Sequence, residues 1–296
     1  MRLAGYNERP NTPPKKVILF VHGDGAMPYD AHGYYQPIWD RLLANGYAIF
    51  SWDKPGVGKS TGSWLQQSMY DRQQEVLAAM AFLKSRYGFK SGDFGLMGFS
   101  QAGWVVPAVA AQSDDVAFAV GVGFAINWMQ QGWYMTERRL RLQGTTEDVI
   151  ARERKAHEEE LDFLLQQPSY DEYLARQCCG TEPMSRSRFE FVVKNFQADA
   201  IADLSSVTQP MLLMLGRQDA NVDALETQRT VNAELASRAN LKVEMFDDAT
   251  HALLKHSRYR DKQGIGLLMR LLWDGEDAFA PGVLHTMEAW MAELEH

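Results

Sequence analysis

Short apolar runs alternate with helical patterns along most of the chain. Apolar runs of this length are typical of strands buried on both faces, as in a parallel sheet. Between the second and third runs, Val76, Met80 and Leu83 recur at helical spacing, and a helix that joins two parallel strands forms a βαβ unit. The pattern therefore predicts an α/β fold. The predicted strands cover residues 17–21, 47–52, 93–99, 116–122, 210–216 and 241–246.

The alternation is interrupted after the fourth run, where charged helical segments replace the strands. We interpret this stretch as a helical insertion between two strands, with charges typical of a solvated helix face and a new helix start at Thr145–Thr146. Trp128, Trp133 and Tyr134 at its entrance either line a pocket or pack against the sheet, and packing is the commoner case. The predicted boundaries are 1–123 and 208–296 for the core and 124–207 for the insertion, with helices within 136–167, 170–177 and 185–196.

Composition narrows the possible partners and the compartment. The net charge of −8 argues against nucleic acid or an anionic membrane surface, since both reward a basic face. No apolar run approaches the length of a membrane span. The first sixteen residues lack an apolar signal core, so we expect a cytoplasmic protein. A secretory protein whose signal had been removed is the alternative. The adjacent Cys178 and Cys179 predict reduced thiols, with a redox pair as the alternative.

Gly58-Lys59-Ser60 matches the end of a phosphate-binding loop. The position of that loop's first glycine is occupied by Asp53, whose carboxylate would face the phosphates. Pro55 removes one of the N–H groups from which such a loop is built. We therefore expect no nucleotide here, and no cofactor or metal is implied elsewhere.

Ser100 lies where the third predicted strand gives way to a helix-like stretch. The surrounding Gly98-Phe99-Ser100-Gln101-Ala102 matches the nucleophile-elbow pattern G-x-S-x-G, with alanine in place of the last glycine. Such a turn presents the serine hydroxyl at the sheet edge, and small neighbours allow the chains to pass closely. The alternative is a serine that only caps the following helix.

A serine nucleophile needs a base and an acid that orients the base. In the elbow arrangement the acid follows a later strand and the histidine comes near the end. Asp219 lies just past the strand at 210–216, and His251 lies in a loop after the strand at 241–246. Asp223 is the rival acid, but it is placed to begin the next helix. We expect the catalytic triad Ser100, Asp219 and His251.

The oxyanion formed by serine attack needs N–H donors. One donor is expected to be the backbone N–H of Gln101, directly after the nucleophile. The second is expected from the loop after the first strand, where His22-Gly23 turns the chain so that the N–H of Asp24 faces the same point. Gly25 is the rival for this second donor.

With these motifs in view, the chain resembles the α/β-hydrolases, and in particular the capped bacterial esterases and serine-peptidase-like hydrolases. The resemblance rests on HGDG, DKPGVGKSTG, GFSQAG, GRQD and DATHAL, which span residues 22–253. It implies that Asp53, Gly56, Gly58 and Ser60 form a structural turn of that fold. One departure is that only sixteen residues precede the first predicted strand, which leaves room for one strand where the fold usually has two.

The resemblance and the residues together predict a serine hydrolase that cleaves a carboxylic ester through an acyl-enzyme. The substrate is expected to be a small-molecule ester, or a short peptide or amide. An exopeptidase or amidase and an acyltransferase are the alternatives within enzymes, because the same triad serves them. A non-catalytic binding protein on this fold is the alternative of another class.

Overall fold

The computed structural model describes residues 1–176, 182–236, 238–260 and 264–295. The expected thiols of Cys178 and Cys179 lie outside the described residues. Seven strands form one sheet in the order β1-β3-β2-β4-β5-β6-β7, in which every pair is parallel except β1 with β3. This architecture confirms the predicted fold class. The strands are β1 Gly5–Glu8, β2 Val17–Val21, β3 Ala48–Trp52, β4 Phe94–Phe99, β5 Val116–Val122, β6 Met211–Gly216 and β7 Leu241–Phe246.

The six strands predicted from apolar runs are confirmed to within one residue at each end. Strands β2, β3 and β4 are buried along their whole length, which is why they form continuous apolar runs rather than alternating ones. The single strand expected at the N-terminus is present as β1, which pairs antiparallel with β3 at the sheet edge.

Helices cover both faces of the sheet. Alternate residues of β2 point to opposite sides, so Leu19 packs in the core beneath α2 and α3, while Phe20 packs in the core beneath α1 and α12. The helices are α1 Gln36–Ala44, α2 Met69–Tyr87, α3 Val106–Gln112, α4 Trp128–Leu142, α5 Glu147–Leu165, α6 Tyr170–Arg176, α7 Arg186–Asn195, α8 Ile201–Ser206, α9 Ala224–Glu234, α10 His256–Tyr259, α11 Gly264–Asp274 and α12 Val283–Glu293. Among the described residues, no helix has the length and apolar character needed to cross a bilayer.

Helices α4 to α8 lie between β5 and β6, where the sequence predicts the insertion. The helix start expected at Thr145–Thr146 is confirmed, because Thr146 is the N-cap of α5. Helix α4 begins earlier than the charged pattern predicts, at Trp128, since the Asn127 side chain accepts a hydrogen bond from the Gln130 N–H and caps it. The insertion has a small apolar core of its own, formed by Leu164, Tyr173, Phe189 and Phe196. The domain boundaries at 124 and 207 remain a prediction.

The turn from β4 into Ser100 is packed around one aromatic ring. Phe124, which is 2% exposed, follows β5 and fills the space above three glycines. A Cβ atom added at Gly98, Gly103 or Gly121 would lie 2.9, 2.9 or 2.5 Å from this ring. The methyl of Ala102 would lie 3.0 Å from a Cβ at Gly98. The elbow therefore tolerates alanine at 102 because glycines supply the room on the other sides.

We expect Gly98→Ala to lower the free energy of unfolding by about 1–3 kcal/mol, because the new methyl overlaps Phe124, Val106 and Ala102 in a packed core. Chemical denaturation measures this change. Gly132→Ala on α4 is the matched control, since its Cβ would meet only His157, at 3.7 Å, and alanine favours a helix by about 0.5–1 kcal/mol. Equal stability of Gly98→Ala and the unmodified protein would contradict this account of the elbow.

Candidate active site

Ser100 occupies a strained backbone position at the end of β4. Its φ is +50°, in the left-handed region that non-glycine residues seldom adopt. A short 3₁₀ helix, Ser100–Trp104, starts at this residue, and α3 follows with Pro107 in its first turn. Ser100 is partly exposed at the carboxyl edge of the sheet. Phe99, and not Ser100, is the N-cap of this 3₁₀ helix, and within the described residues no side-chain cap hydrogen bond is made there.

His251 and Asp219 form a hydrogen-bonded pair. The imidazole Nδ1 lies 2.7 Å from the Asp219 Oδ2 atom. The other carboxylate oxygen of Asp219 accepts hydrogen bonds from the N–H groups of Asn221, at 2.7 Å, and Val222, at 2.9 Å. Burial disfavours the charged imidazolium, but the negative charge of Asp219 and its hydrogen bond outweigh burial and raise the pKa of His251. The rival acid, Asp223, caps α9 through the Glu226 N–H.

The strand register relates the position of this pair to that of Ser100. Phe99 of β4 pairs with Val122 of β5, so Ser100 and Gly123 each follow the end of one of two paired strands. A Cβ atom at Gly123 would lie 3.0 Å from the His251 ring. The imidazole therefore lies against the residue that follows β5, and β5 is the neighbour of the strand that leads into Ser100. Within the described residues, the Ser100 hydroxyl makes no hydrogen bond to His251, and such bonds are often long before substrate binds.

The loop that follows β2 packs against the elbow. A Cβ atom at Gly23 would lie 3.2 Å from the Ser100 Cβ atom. The Gln101 N–H is in the first turn of a helix and has no partner within that turn. Among the described residues, neither this N–H nor that of Asp24 donates a hydrogen bond, so both are available to an oxyanion. The Gly25 N–H instead faces the Asp24 carboxylate, which favours Asp24 over Gly25 as the second donor.

Two buried side chains, which the sequence patterns did not reveal, form hydrogen bonds to the loop after β2 and to Gln101. The Arg72 guanidinium, on α2, donates to the Gln101 side chain at 2.8 Å and to the His22 carbonyl. The Lys54 ammonium donates to the Gly23 carbonyl at 2.9 Å, and burial lowers its pKa well below the ordinary value. Both cations come from segments remote in sequence. They tie the strand-to-helix turn and the preceding loop into one unit.

His22 is a structural residue of the same loop. Its ring nitrogens lie 3.0 Å from the Tyr35 hydroxyl and 2.6 Å from the Trp52 carbonyl. Burial lowers the pKa of His22 to about 3, so the ring stays neutral at neutral pH. This histidine therefore fixes the start of the loop and is not a second base.

Residues 53–60 form the internal turn that the resemblance implies. The Asp53 carboxylate accepts hydrogen bonds from the N–H groups of Tyr29, at 3.0 Å, and Lys59, at 3.1 Å. Gly56 has a φ of +80° and passes so close to Gly62 that an added Cβ would lie 2.6 Å from its carbonyl oxygen. The N–H of Lys59, which a phosphate loop would present to its ligand, is thus used within the turn.

The aromatic residues at the start of the insertion serve both expected purposes. Trp128 stacks on Trp104 with ring centroids 4.9 Å apart, which is packing against the core. Trp133 and Tyr134 line a cavity of about 420 Å³ next to the loop that follows Asp219. The Tyr134 hydroxyl donates to the Asp219 carbonyl at 2.8 Å, so α4 also braces the backbone of the acid.

Comparison with known proteins identifies the family. The family model described as serine aminopeptidase, S33, a hydrolase family, matches residues 12–258. The chain belongs to this family. The resemblance to α/β-hydrolases is thereby confirmed, and this chain is a hydrolase by family. A search of curated proteins finds no match to the sequence.

Solved structures share the fold of this hydrolase at low identity. An esterase from Pyrococcus furiosus is 18% identical, with 84% of this chain and 77% of that one covered and a TM-score of 0.56. A thermophilic esterase from Thermogutta terrifontis is 16% identical, with 99% and 94% covered and a TM-score of 0.57. Mouse alpha/beta hydrolase domain-containing protein 10 is also 16% identical, with 99% and 94% covered and a TM-score of 0.52. At such identities the likeness shows the fold alone.

The acid limb of the pH–rate profile should report the His251–Asp219 pair. A general base must be neutral, so kcat/KM should fall as pH drops through the raised pKa of His251, above the ordinary 6.5. Asp219→Asn removes the charge that favours the imidazolium. We expect it to shift this limb to lower pH and to lower the plateau by about 10⁴-fold.

Asp223→Asn is the matched control, because that carboxylate caps α9. Its profile should coincide with that of the unmodified hydrolase. An acid limb that moves with Asp223→Asn and stays in place with Asp219→Asn would transfer the role to Asp223.

Proposed function

We propose that this hydrolase cleaves carboxylic esters of small molecules through an acyl-enzyme on Ser100. The observation that carries the proposal is the hydrogen-bonded His251–Asp219 pair, at 2.7 Å, in a chain whose Ser100 has a φ of +50°. A serine nucleophile served by a base that a carboxylate orients is the arrangement that serine hydrolases of several unrelated folds share.

In the proposed first half-reaction, the Ser100 oxygen attacks the ester carbonyl carbon while its proton passes to His251 Nε2. The carbonyl oxygen becomes an oxyanion and accepts hydrogen bonds from the N–H groups of Gln101 and Asp24. The carbon–oxygen bond to the alcohol then breaks, and His251 returns the proton to the departing alkoxide. The products of this half are the alcohol and an acyl-Ser100 ester.

In the second half-reaction, water attacks the acyl carbon and gives its proton to His251. The tetrahedral intermediate expels the Ser100 oxygen, which recovers the proton from His251, and the acid is released. Asp219 keeps the imidazole in the tautomer that presents Nε2 to the serine. Because the other carboxylate oxygen of Asp219 accepts hydrogen bonds from two backbone N–H groups, the carboxylate keeps its orientation through both halves.

An exopeptidase or amidase is the second candidate, favoured by the description of the family as serine aminopeptidases. An aminopeptidase must bind the α-ammonium group of its substrate, for which a free carboxylate is suited. The carboxylate of Asp24, close to the proposed oxyanion hole, is instead neutralised by Arg188 at 2.8 Å. This pairing leaves Asp24 unavailable as the group that would bind the α-ammonium of a peptide.

The test is hydrolysis of p-nitrophenyl esters of increasing acyl length beside amino-acyl p-nitroanilides. We expect ester turnover to exceed anilide turnover and Ser100→Ala to lower kcat by about 10⁴-fold or more. The rate across acyl lengths measures the depth of the acyl pocket.

Ser91→Ala is the matched control, since Ser91 is an exposed serine before the opposite end of β4 and should leave turnover unchanged. Ser100→Ala activity within tenfold of the unmodified enzyme would remove Ser100 from the role. Faster turnover of the anilides would favour the peptidase. Labelling of Ser100 by a fluorophosphonate without turnover of either series would keep the nucleophile and reject these substrates.

A further inference from the structure

Helix α7 of the insertion is fixed to the core along one face. Arg188, Phe191 and Asn195 are spaced three and four residues apart, so they share that face. Phe191 is fully buried, and its ring meets Trp64 at a centroid distance of 5.5 Å. The buried Asn195 side chain accepts from the Met69 N–H at 2.9 Å and donates to the core loop before α2. The helix is thus held at its C-terminal end independently of Arg188.

At the other end of this face, Arg188 reaches the oxyanion loop. Its two terminal nitrogens donate separately to the two carboxylate oxygens of Asp24, at 3.0 and 2.8 Å. This two-point geometry fixes the orientation of a carboxylate as well as its position. Burial raises the pKa of the Asp24 carboxyl, but Arg188 outweighs burial and brings the pKa below its ordinary value, so the pair is charged at neutral pH.

The same carboxylate touches the other expected oxyanion donor. The Gln101 side chain donates to Asp24 Oδ1 at 3.3 Å and accepts from Arg72 at 2.8 Å. The side chains of the two residues whose N–H groups face the oxyanion are therefore joined to each other. Arg72 holds this pair from the core, and Arg188 holds it from the insertion.

We propose that Arg188 is a positioning residue, whose ion pair with Asp24 fixes the oxyanion loop and makes the insertion part of the catalytic unit. This inference rests on the proposed function. Ion pairs as exposed as this one, with side chains 33% and 40% accessible, add little to stability. Its effect is therefore expected in the geometry of the oxyanion hole, where a displacement of about 1 Å can cost about 100-fold in rate.

The test combines steady-state kinetics on p-nitrophenyl butyrate with inhibition by phenylboronic acid, whose serine adduct places an oxygen in the oxyanion hole. We expect Arg188→Met to lower kcat by about 10–100-fold, with KM within about threefold, because the hole acts on the transition state. The inhibition constant for phenylboronic acid should weaken by a similar factor. Arg188→Lys, which keeps the charge but loses the two-point contact, should fall between.

Asp24→Asn tests the other half of the pair, because it leaves the backbone N–H of residue 24 in place. It should lower kcat as Arg188→Met does. The kcat of the double variant should be no lower than that of the single variant with the lower kcat. Arg186→Met is the matched control on the same helix, since Arg186 pairs with Asp171 within the insertion, at 3.0 Å. It should match the unmodified enzyme in both assays.

Three results would overturn the proposal. Unchanged kcat in Arg188→Met would do so, as would a raised KM at constant kcat, which would make Arg188 a substrate contact. Additive losses in the double variant would show that Arg188 and Asp24 act separately. Fluorophosphonate labelling of the unmodified enzyme separates these failures from that of the proposed function. If the unmodified enzyme shows neither fluorophosphonate labelling nor turnover, the proposed function and the positioning role are both rejected. If it is labelled and any of the three results is found, only the positioning role of Arg188 is rejected.

Discussion

The left-handed backbone at Ser100 is the constraint on which the site depends. A non-glycine residue held at a φ of +50° is strained by about 1–3 kcal/mol and persists only where its surroundings leave no alternative. Here the surroundings are the Phe124 ring above three glycines, the β4–β5 register, and the loop at Gly23 that packs on the Ser100 side chain. The packing of a few small residues thus sets the direction in which the hydroxyl points.

Buried charge accompanies this geometry. Arg72 and Lys54 are 4% and 2% exposed, and cations removed from water are costly unless they are paired and hydrogen-bonded. Glu75 is also buried beside them, and burial raises its pKa although its hydrogen bond to Gln67 opposes this. Arg72 and Lys54 donate their hydrogen bonds to backbone carbonyls and to the Gln101 side-chain amide. The cost is therefore offset by bonds that fix the backbone around the proposed oxyanion hole.

Much of the fold and part of the candidate site could be predicted from the sequence. Strands such as β2 and β5 are confirmed at both ends, because residues buried on two faces must be apolar throughout. Ser100, Asp219 and His251 follow from motifs tied to strand ends, and the structure brings the last two into contact. Whether the three catalyse together stays a prediction.

The rest could not be predicted because its signals are not local. In the sequence, Arg72 is indistinguishable from the other polar residues of its helix, and Arg188 is one of many charged residues in the insertion. Their meaning depends on partners 29 and 164 residues away. The early start of α4 is set by Asn127, whose capping role can be recognised only once the position of the helix is known. Helices α10 to α12 follow the last strand without a motif that predicted them.

The distance in sequence between Arg188 and Asp24 has a consequence for folding. Contacts between segments far apart form slowly, because the closure of a long loop costs entropy before any bond is made. The sheet contains βαβ units of strands that are close in sequence, whereas the Arg188–Asp24 contact joins residues 164 positions apart, so we expect this contact to form late. A refolding molecule would thus regain its helices and strands first, and its arginine–aspartate contact among the last.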